Sequence, residues 1–180
     1  MENKAKRLVI AGAGGHAKVV ADAVKKQGLY HLAGFLDDKI PIGTDVIFGV
    51  KVIGTLGAKE LEAFADFFIV AIGNNKTRSA IYSELIKKIK PATVVHPASV
   101  IAENVNIGPG CVLLAGSVIG NDVTLGANSI VNALALVDHD STIGIHSHIA
   151  QGAIVGSLVT LPSFYHVELG ERIPSYTKIT

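Results

Sequence analysis

The sequence predicts two domains: an α/β domain of the half-Rossmann type, followed by a parallel β-helix of six-residue repeats. In the second half, aliphatic residues recur at every sixth position, which neither a helix (period 3.6) nor a flat strand (period 2) produces. In the first half, short apolar strands alternate with helical segments, and a glycine-rich turn follows the first strand. We place the boundary so that residues 1–92 form the first domain and residues 93–180 the second.

The first predicted strand, Arg7–Ala11, runs directly into the turn Gly12-Ala13-Gly14-Gly15. A helix should follow from about His16 to Gln27 and stop at Gly28. Its side chains predicted to face inward are Val19, Ala23 and Val24. Glycines between a strand and a helix let backbone N–H groups approach a phosphate at the positive end of the helix. The alternative is that these glycines only make a tight turn and that His16 only packs.

Acidic and amide side chains follow the next two strands. Asp37 and Asp38 end the strand Leu32–Leu36, about where an acid that binds a ribose belongs. A strand over Phe67–Ile72 leads into the turn Gly73-Asn74-Asn75, which would close the other side of the crevice, and then into a helix from about Thr77 to Lys88. Since only one βαβαβ half fits before the repeat begins near Val95, the prediction is a site for one nucleotide and not for a dinucleotide.

Every sixth residue from Ile101 to Val155 is aliphatic, and the residue two positions before each of these is small or β-branched. A glycine often follows the aliphatic residue. These features predict short stacked strands around an aliphatic interior. Cys111 occupies one of the small positions, so we interpret it as a core thiol and not a nucleophile; a single cysteine also excludes an intrachain disulfide.

The repeat weakens after Gly156. Tyr165 and Glu171 replace the small residue, and prolines enter. The aliphatic phase nevertheless continues at Leu161, Val167, Ile173 and Ile179. We therefore expect one more, irregular coil from about residue 157 that caps the β-helix.

Composition excludes several classes of function. The chain has 180 residues, a net charge of +1 and 49% hydrophobic residues. No basic cluster alternates with aromatic residues, so nucleic acid is not an expected partner. No apolar run reaches the ~18 residues that would span a bilayer, and the first residues lack the features of a signal peptide. We expect a soluble, cytoplasmic protein.

Titratable side chains cluster in one part of the repeat, where Asp138-His139-Asp140 is followed by His146 and His148. His139 falls where a coil turns a corner, and an adjacent carboxylate could hold one imidazole nitrogen and raise the basicity of the other. This arrangement predicts a general base. Two alternatives are a surface histidine among polar turn residues and a zinc site of three histidines at positions 139, 146 and 148.

Four segments, in order, carry a resemblance to a known family: residues 11–16, 35–38, 70–75 with Arg78, and 137–150. The chain resembles the bacterial sugar N- and O-acetyltransferases of the left-handed β-helix (hexapeptide-repeat) superfamily. That family includes UDP-4-amino-sugar N-acetyltransferases and relatives of sialic acid O-acetyltransferase. The resemblance implies left-handed coils, homotrimers and acetyl-CoA as co-substrate between adjacent subunits, with no metal.

The resemblance also assigns roles to residues. His139 corresponds to the catalytic base and Asp140 to the acid that raises its basicity. His148 matches a contact to acetyl-CoA, and we add Gly156 as a second. The nucleotide-sugar positions, to which we add Asn74, are Gly14, Gly15, His16, Asp37, Asp38 and Gly73.

The implied activity is acetyl transfer to an amine of a nucleotide-linked, UDP-4-amino-dideoxy sugar in surface glycan biosynthesis. One alternative is O-acetylation of a sugar of the sialic acid type. The other, which the unusual tail suggests, is a non-catalytic protein that binds a nucleotide-sugar.

Overall fold

A computed structural model describes residues 6–58 and 60–180 of the chain. These residues form two compact units that divide between Ala92 and Thr93. The first is an α/β unit and the second is a stack of short parallel strands, so the predicted fold class is confirmed. No helix in the described ranges is long and apolar enough to cross a membrane.

The first unit is built on a six-stranded sheet with the order β3-β4-β2-β1-β5-β6. Its elements are β1 (Arg7–Ala11), α1 (Gly15–Gln27), β2 (His31–Leu36), β3 (Asp45–Ile47), β4 (Val50–Gly54), a 3-10 helix (Leu61–Ala63), β5 (Phe67–Val70), α2 (Asn75–Leu85) and β6 (Lys90–Pro91). The strands pair in parallel except for β3 and β4, an antiparallel hairpin that the sequence analysis did not predict.

Strand β1 lies between β2 and β5. The strands β2 to β4 are added on one side of β1, and β5 and β6 are added on its other side. Helix α1 follows β1 on the way to β2, and α2 follows β5 on the way to β6. In sheets of this kind, ligands bind beside the carboxyl ends of the strands where the order reverses. That position is the edge formed by the ends of β1 and β5, where the two predicted turns lie.

Helix α1 buries a stripe through Ala17, Val20, Ala21 and Val24, the i, i+3, i+4, i+7 spacing of a helix that packs on a sheet. The helix ends at Gly28, as predicted: the residue has φ 71°, and its N–H donates to the carbonyl oxygen of Val24 at 3.2 Å. The prediction for Val19 was wrong. It lies at the edge of the buried stripe and is 48% exposed.

The second unit is a three-sided left-handed β-helix whose strands each contain two residues. One side contains β7 (Val94–Val95), β10 (Val112–Leu113), β13 (Ile130–Val131), β16 (His148–Ile149) and β19 (His166–Val167). The next contains β8 (Val100–Ile101), β11 (Val118–Ile119), β14 (Leu136–Val137), β17 (Ile154–Val155) and β20 (Arg172–Ile173). The third contains β9 (Asn106–Ile107), β12 (Thr124–Leu125), β15 (Thr142–Ile143) and β18 (Thr160–Leu161).

Each strand pairs with the strand one coil further on, as Leu113 does with Val131. The second residue of each strand points into the interior, where the aliphatic side chains of successive coils form one buried core. Where the small residue beside them is a serine, its hydroxyl group can satisfy neighbouring backbone: Ser129 Oγ donates to the carbonyl oxygen of Gly144 at 3.2 Å. The repeat thus determines both the aliphatic core and the hydrogen bonds that satisfy the buried backbone groups beside it.

The corners between strands have a common backbone conformation. Every sixth residue from Asn104 to Tyr176 has a positive φ. Glycine, asparagine and aspartate adopt this conformation readily, whereas Leu134 and Leu158 do so at a cost of about 1–2 kcal/mol each. These left-handed corners turn the chain through each edge of the β-helix.

The tail contains the additional coil that was predicted from about residue 157, but this coil is regular. Strands β18, β19 and β20 pair in register with β15, β16 and β17, and Lys178 begins the next coil by bridging to Thr160. Tyr165, at a position that is small elsewhere, packs against the core. The aliphatic phase alone is therefore sufficient to continue the coils, and the loss of the small residue does not break them.

Candidate active site

The glycine-rich turn after β1 is shaped for an anion. Gly12 has φ 104°, and a Cβ atom there would lie 3.1 Å from the carbonyl oxygen of Ala71, so only glycine lets the turn lie this close to the end of β5. Gly14 caps α1 without a side-chain acceptor, and the first turn contains no acidic residue. Beside Gly14 and Gly15 the space is open. The N–H groups at this helix end are therefore oriented toward a site that suits a phosphate.

Asp37 fixes this turn in place. Its Oδ2 accepts from the backbone N–H of Ala13 at 2.9 Å, and its Oδ1 accepts from those of Lys39 and Ile40. Burial favours the neutral acid, but the three N–H donors, helped by the charge of Lys39, outweigh it and lower the pKa of Asp37. Asp38 likewise uses Oδ1 to accept from Leu56 N–H at 2.9 Å. Both predicted ribose-binding acids thus accept hydrogen bonds from backbone N–H groups.

The opposite wall follows β5. Asn74 caps α2 by accepting from the N–H of Thr77 at 3.0 Å, which is why the helix begins at Asn75, two residues earlier than predicted. Strand β5 ends at Val70, two residues before its predicted end. Behind the wall, Arg78 is fully buried and donates from Nη1 to the carbonyl oxygens of Ile72 and Gly73, at 3.1 Å and 3.0 Å. Sequence reasoning did not assign Arg78 a role in the site.

His16 lies in the first turn of α1. Burial and the positive charge of Arg78 lower its pKa to about 4, so the imidazole is neutral at physiological pH. The crevice therefore brings together Gly14, Gly15, His16, Asp37, Gly73 and Asn74 at one edge of the sheet. Asp38 lies further along the same side, bonded to the residues that follow β4.

In the second unit, His139 and Asp140 occupy the corner after β14. The Nδ1 atom of His139 lies 2.7 Å from Oδ2 of Asp140, and both side chains are about half exposed, at 49% and 51%. The hydrogen bond to Asp140 raises the pKa of His139; burial opposes this effect, and the charges of Asp138 and Asp140 add to it. A proton on Nδ1 that is held by the carboxylate leaves Nε2 as a base.

Neighbouring coils hold this corner from both sides. The N–H of Leu158 donates to the carbonyl oxygen of His139 at 3.0 Å, and Ser141 Oγ donates to that of Gly156 at 2.9 Å. On the preceding coil, a Cβ atom at Gly120 would lie 2.7 Å from the backbone nitrogen of His139. Sequence reasoning did not assign Gly120 to the site. The signal that could have identified it is the glycine that follows the aliphatic residue of a repeat.

The other two histidines of the sequence cluster lie elsewhere. His146 is buried at the corner after β15, with Nδ1 2.8 Å from Nδ2 of Asn128. His148 is buried in β16, with Nε2 3.1 Å from Nδ2 of Asn132. In residues 6–58 and 60–180, no group of three histidine, cysteine or acidic side chains could hold a metal ion.

Two further residues singled out in the sequence have packing roles. A Cβ atom at Gly156 would lie 2.6 Å from the backbone nitrogen of Ser175, and the Gly156 N–H donates to the carbonyl oxygen of Ile173 at 2.9 Å. Cys111 is fully buried, and its Sγ lies 3.2 Å from the carbonyl oxygen of Gly126. The interpretation of Cys111 as a core thiol agrees with this position.

Comparison with known families matches both units. Residues 7–85 match the PglD N-terminal domain, and residues 88–133 match the bacterial transferase hexapeptide repeat. The chain is 30% identical over 111 residues to the UDP-N-acetylbacillosamine N-acetyltransferase of Bacillus subtilis; the match covers 58% of this chain and half of that protein.

Two solved structures extend the similarity to nearly the whole chain. The acetyltransferase domain of PglB from Neisseria gonorrhoeae, in complex with acetyl coenzyme A, is 30% identical with a TM-score of 0.88; the match covers 97% of this chain and 84% of that one. PerB from Caulobacter crescentus, in complex with CoA and GDP-perosamine, is 27% identical with a TM-score of 0.75, over 96% and 91% of the two chains. The chain therefore belongs to the family of bacterial hexapeptide-repeat sugar acetyltransferases that carry a PglD-type N-terminal domain.

Proposed function

We propose that the chain transfers the acetyl group of acetyl-CoA to an amine of a nucleotide-linked sugar in glycan biosynthesis. The observation that carries this proposal is the His139–Asp140 pair, a half-exposed imidazole whose Nδ1 lies 2.7 Å from a carboxylate. Such a pair is a general base. The relatives with this fold are acetyltransferases, and PglB and PerB were solved with acetyl-CoA and with CoA.

In the proposed reaction, the neutral sugar amine attacks the thioester carbonyl carbon, and Nε2 of His139 takes the proton that the nitrogen loses. The C–N bond forms and the C–S bond breaks. CoA leaves as a thiolate and receives the proton from the imidazolium. Asp140 holds the Nδ1 proton throughout and stabilises the imidazolium. A positioned base of this kind contributes about 10²–10⁴-fold to the rate.

The crevice of the first unit is the proposed site of the nucleotide. The open end of α1 at Gly14 and Gly15 suits a diphosphate, and Gly73 and Asn74 form the facing wall. We retain a UDP-4-amino-dideoxy sugar as the expected acceptor. The named relatives use different nucleotides, UDP in B. subtilis and GDP in C. crescentus, so both belong in the test.

The remaining proposals concern acetyl-CoA and assembly. His148 and Gly156 are the proposed contacts of acetyl-CoA. We also propose that the protein is a homotrimer with its active sites between subunits and that it works in the cytoplasm. Light scattering after size exclusion tests the assembly, because a monomer in solution would contradict sites shared between subunits.

The test is thiol release from acetyl-CoA with a panel of UDP- and GDP-linked 4-amino-dideoxy sugars and their 4-hydroxy counterparts. We expect release with an amino sugar and a loss of 10²-fold or more in His139→Ala. His31→Ala, which removes an exposed histidine of the first unit, is the matched control and should retain full activity. Release only with hydroxy sugars would indicate O-acetylation. Nucleotide-sugar binding without any thiol release would favour a non-catalytic binding protein.

A further inference from the structure

We propose that Arg78 is a positioning residue of the nucleotide site, which fixes the Gly73–Asn74 wall and brings a buried positive charge to the crevice so that a diphosphate binds there. The inference rests on the proposed function, because the diphosphate is the anion that a nucleotide-sugar carries. It goes further by identifying a residue that favours the anion without touching it.

Arg78 holds the segment that follows β5 by hydrogen bonds. Its guanidinium is fully buried and makes a fork: Nη1 donates to the carbonyl oxygens of Ile72 and Gly73, and Nη2 donates to Oδ1 of Asn75 at 2.8 Å. Carbonyl oxygens at the end of a strand carry partial negative charge, which would repel a phosphate. Arg78 compensates two of these oxygens at the edge of the sheet where the anion would lie.

The burial of Arg78 also has an energetic cost. A buried cation is costly, and well-packed apolar residues in its place are often as stable or more so. A cation in the first turn of a helix also opposes the helix dipole, and α2 has no acidic residue in that turn. Stability therefore gives a weak reason for an arginine here, whereas an anion bound in front of the same turn gives a strong one.

Arg78 acts on both walls of the crevice. At Gly12, a Cβ atom would lie 3.1 Å from Ile72 Cγ1, so the glycine-rich turn lies directly against the segment that Arg78 holds. The positive charge of Arg78 also reaches His16, on the first turn of α1, where it adds to burial in keeping the imidazole neutral. Arg78 and the ends of both helices therefore act on one crevice.

The variant Asn75→Asp tests the charge of Arg78 separately from the hydrogen bonds that its guanidinium makes. The new carboxylate has the size of the amide and accepts from the same Nη2, so it neutralises the site while the fork stays in place. An acid in the first turn also favours the helix dipole, so the melting temperature should hold or rise. Ser83→Asp, which adds the same charge to an exposed position of α2, is the matched control.

The measurement is binding of UDP, UMP and uridine, and of GDP, GMP and guanosine, by calorimetry or NMR titration. We expect Asn75→Asp to weaken diphosphate binding about tenfold, the monophosphate less and the nucleoside not at all, with Ser83→Asp unchanged. Arg78→Lys, which keeps the charge and loses the fork, should lose less affinity for the diphosphate than Asn75→Asp.

Three outcomes decide the matter. A loss graded by the charge of the ligand supports the inference. An equal loss for diphosphate and nucleoside, or no loss, overturns it, because a merely structural residue would act on all ligands alike. A wild-type protein that binds none of these nucleotides would overturn the proposed nucleotide site itself, and the inference with it.

Discussion

Gly120→Ala is expected to lower activity by displacing the backbone of His139, the proposed general base. The Cβ atom of the new alanine would lie 2.7 Å from the backbone nitrogen of His139 and 3.1 Å from its Cα. To reach the 3.4 Å of ordinary contact, His139 must move by about 0.7 Å. Since a misplacement of about 1 Å can cost 10²-fold in rate, we expect kcat/KM to fall about tenfold. Overpacking should also cost about 1–3 kcal/mol of stability.

Gly108→Ala is the matched control, because it creates the same clash at another corner. Its Cβ atom would lie 2.6 Å from the backbone nitrogen of Ala127 and 2.9 Å from its Cα, away from the His139 corner. The assay is thiol release from acetyl-CoA with the acceptor sugar, alongside thermal unfolding of each variant. Both variants should lose similar stability, and only Gly120→Ala should lose activity. Equal activity in the two variants at equal stability would refute the reasoning.

Three further predictions concern single side chains. Asp140→Asn removes the carboxylate that raises the pKa of His139, so the acidic limb of the kcat/KM profile should move to lower pH while the plateau rate falls; an unmoved limb would assign that limb to another group. His16, with a pKa of about 4, should stay neutral, so the Kd of a nucleotide-sugar should be constant from about pH 5.5 to 8, and a rise in affinity on acidification within that range would contradict the assignment. Leu134→Asn should stabilise the protein by about 0.5–1 kcal/mol, because asparagine tolerates the positive φ of this exposed corner. The Leu134 side chain lies beside Gly116, and a lower melting temperature would mean that this packing outweighs the relief of strain.

The β-helix was predictable because its interior repeats without exception. The aliphatic residues of the repeat, such as Leu113 and Ile119, are buried in the interior, so their six-residue spacing determines how the chain coils. The phase of Leu161 and Val167 predicted the additional coil of the tail, and only the irregularity expected from Tyr165 is absent. The hairpin β3–β4 was missed because its strands are short and only partly buried, which leaves a weak periodic signal.

The geometry of the candidate site was predictable where local chemistry determines it and not where packing does. The His139–Asp140 pair is adjacent in sequence, so its geometry follows from one corner. The bonds of Asp37 depend instead on where the backbone of Ala13 comes to lie, 24 residues earlier in the chain. The burial of Arg78 depends on how α2 packs, and no local pattern reveals that a charged residue is inside.

The six-residue period of the core has a consequence for how this protein tolerates changes in length. One coil takes 18 residues, divided among three equivalent sides, as the spacing of the Asn128 and His146 corners shows. A deletion of six residues upstream would keep every aliphatic side chain inside, yet it would carry His139 to a different edge of the preceding coils. A deletion of eighteen would return it to the same edge. The core accepts both changes alike, so only selection for catalysis can distinguish them, and natural length variation before His139 should come in whole coils.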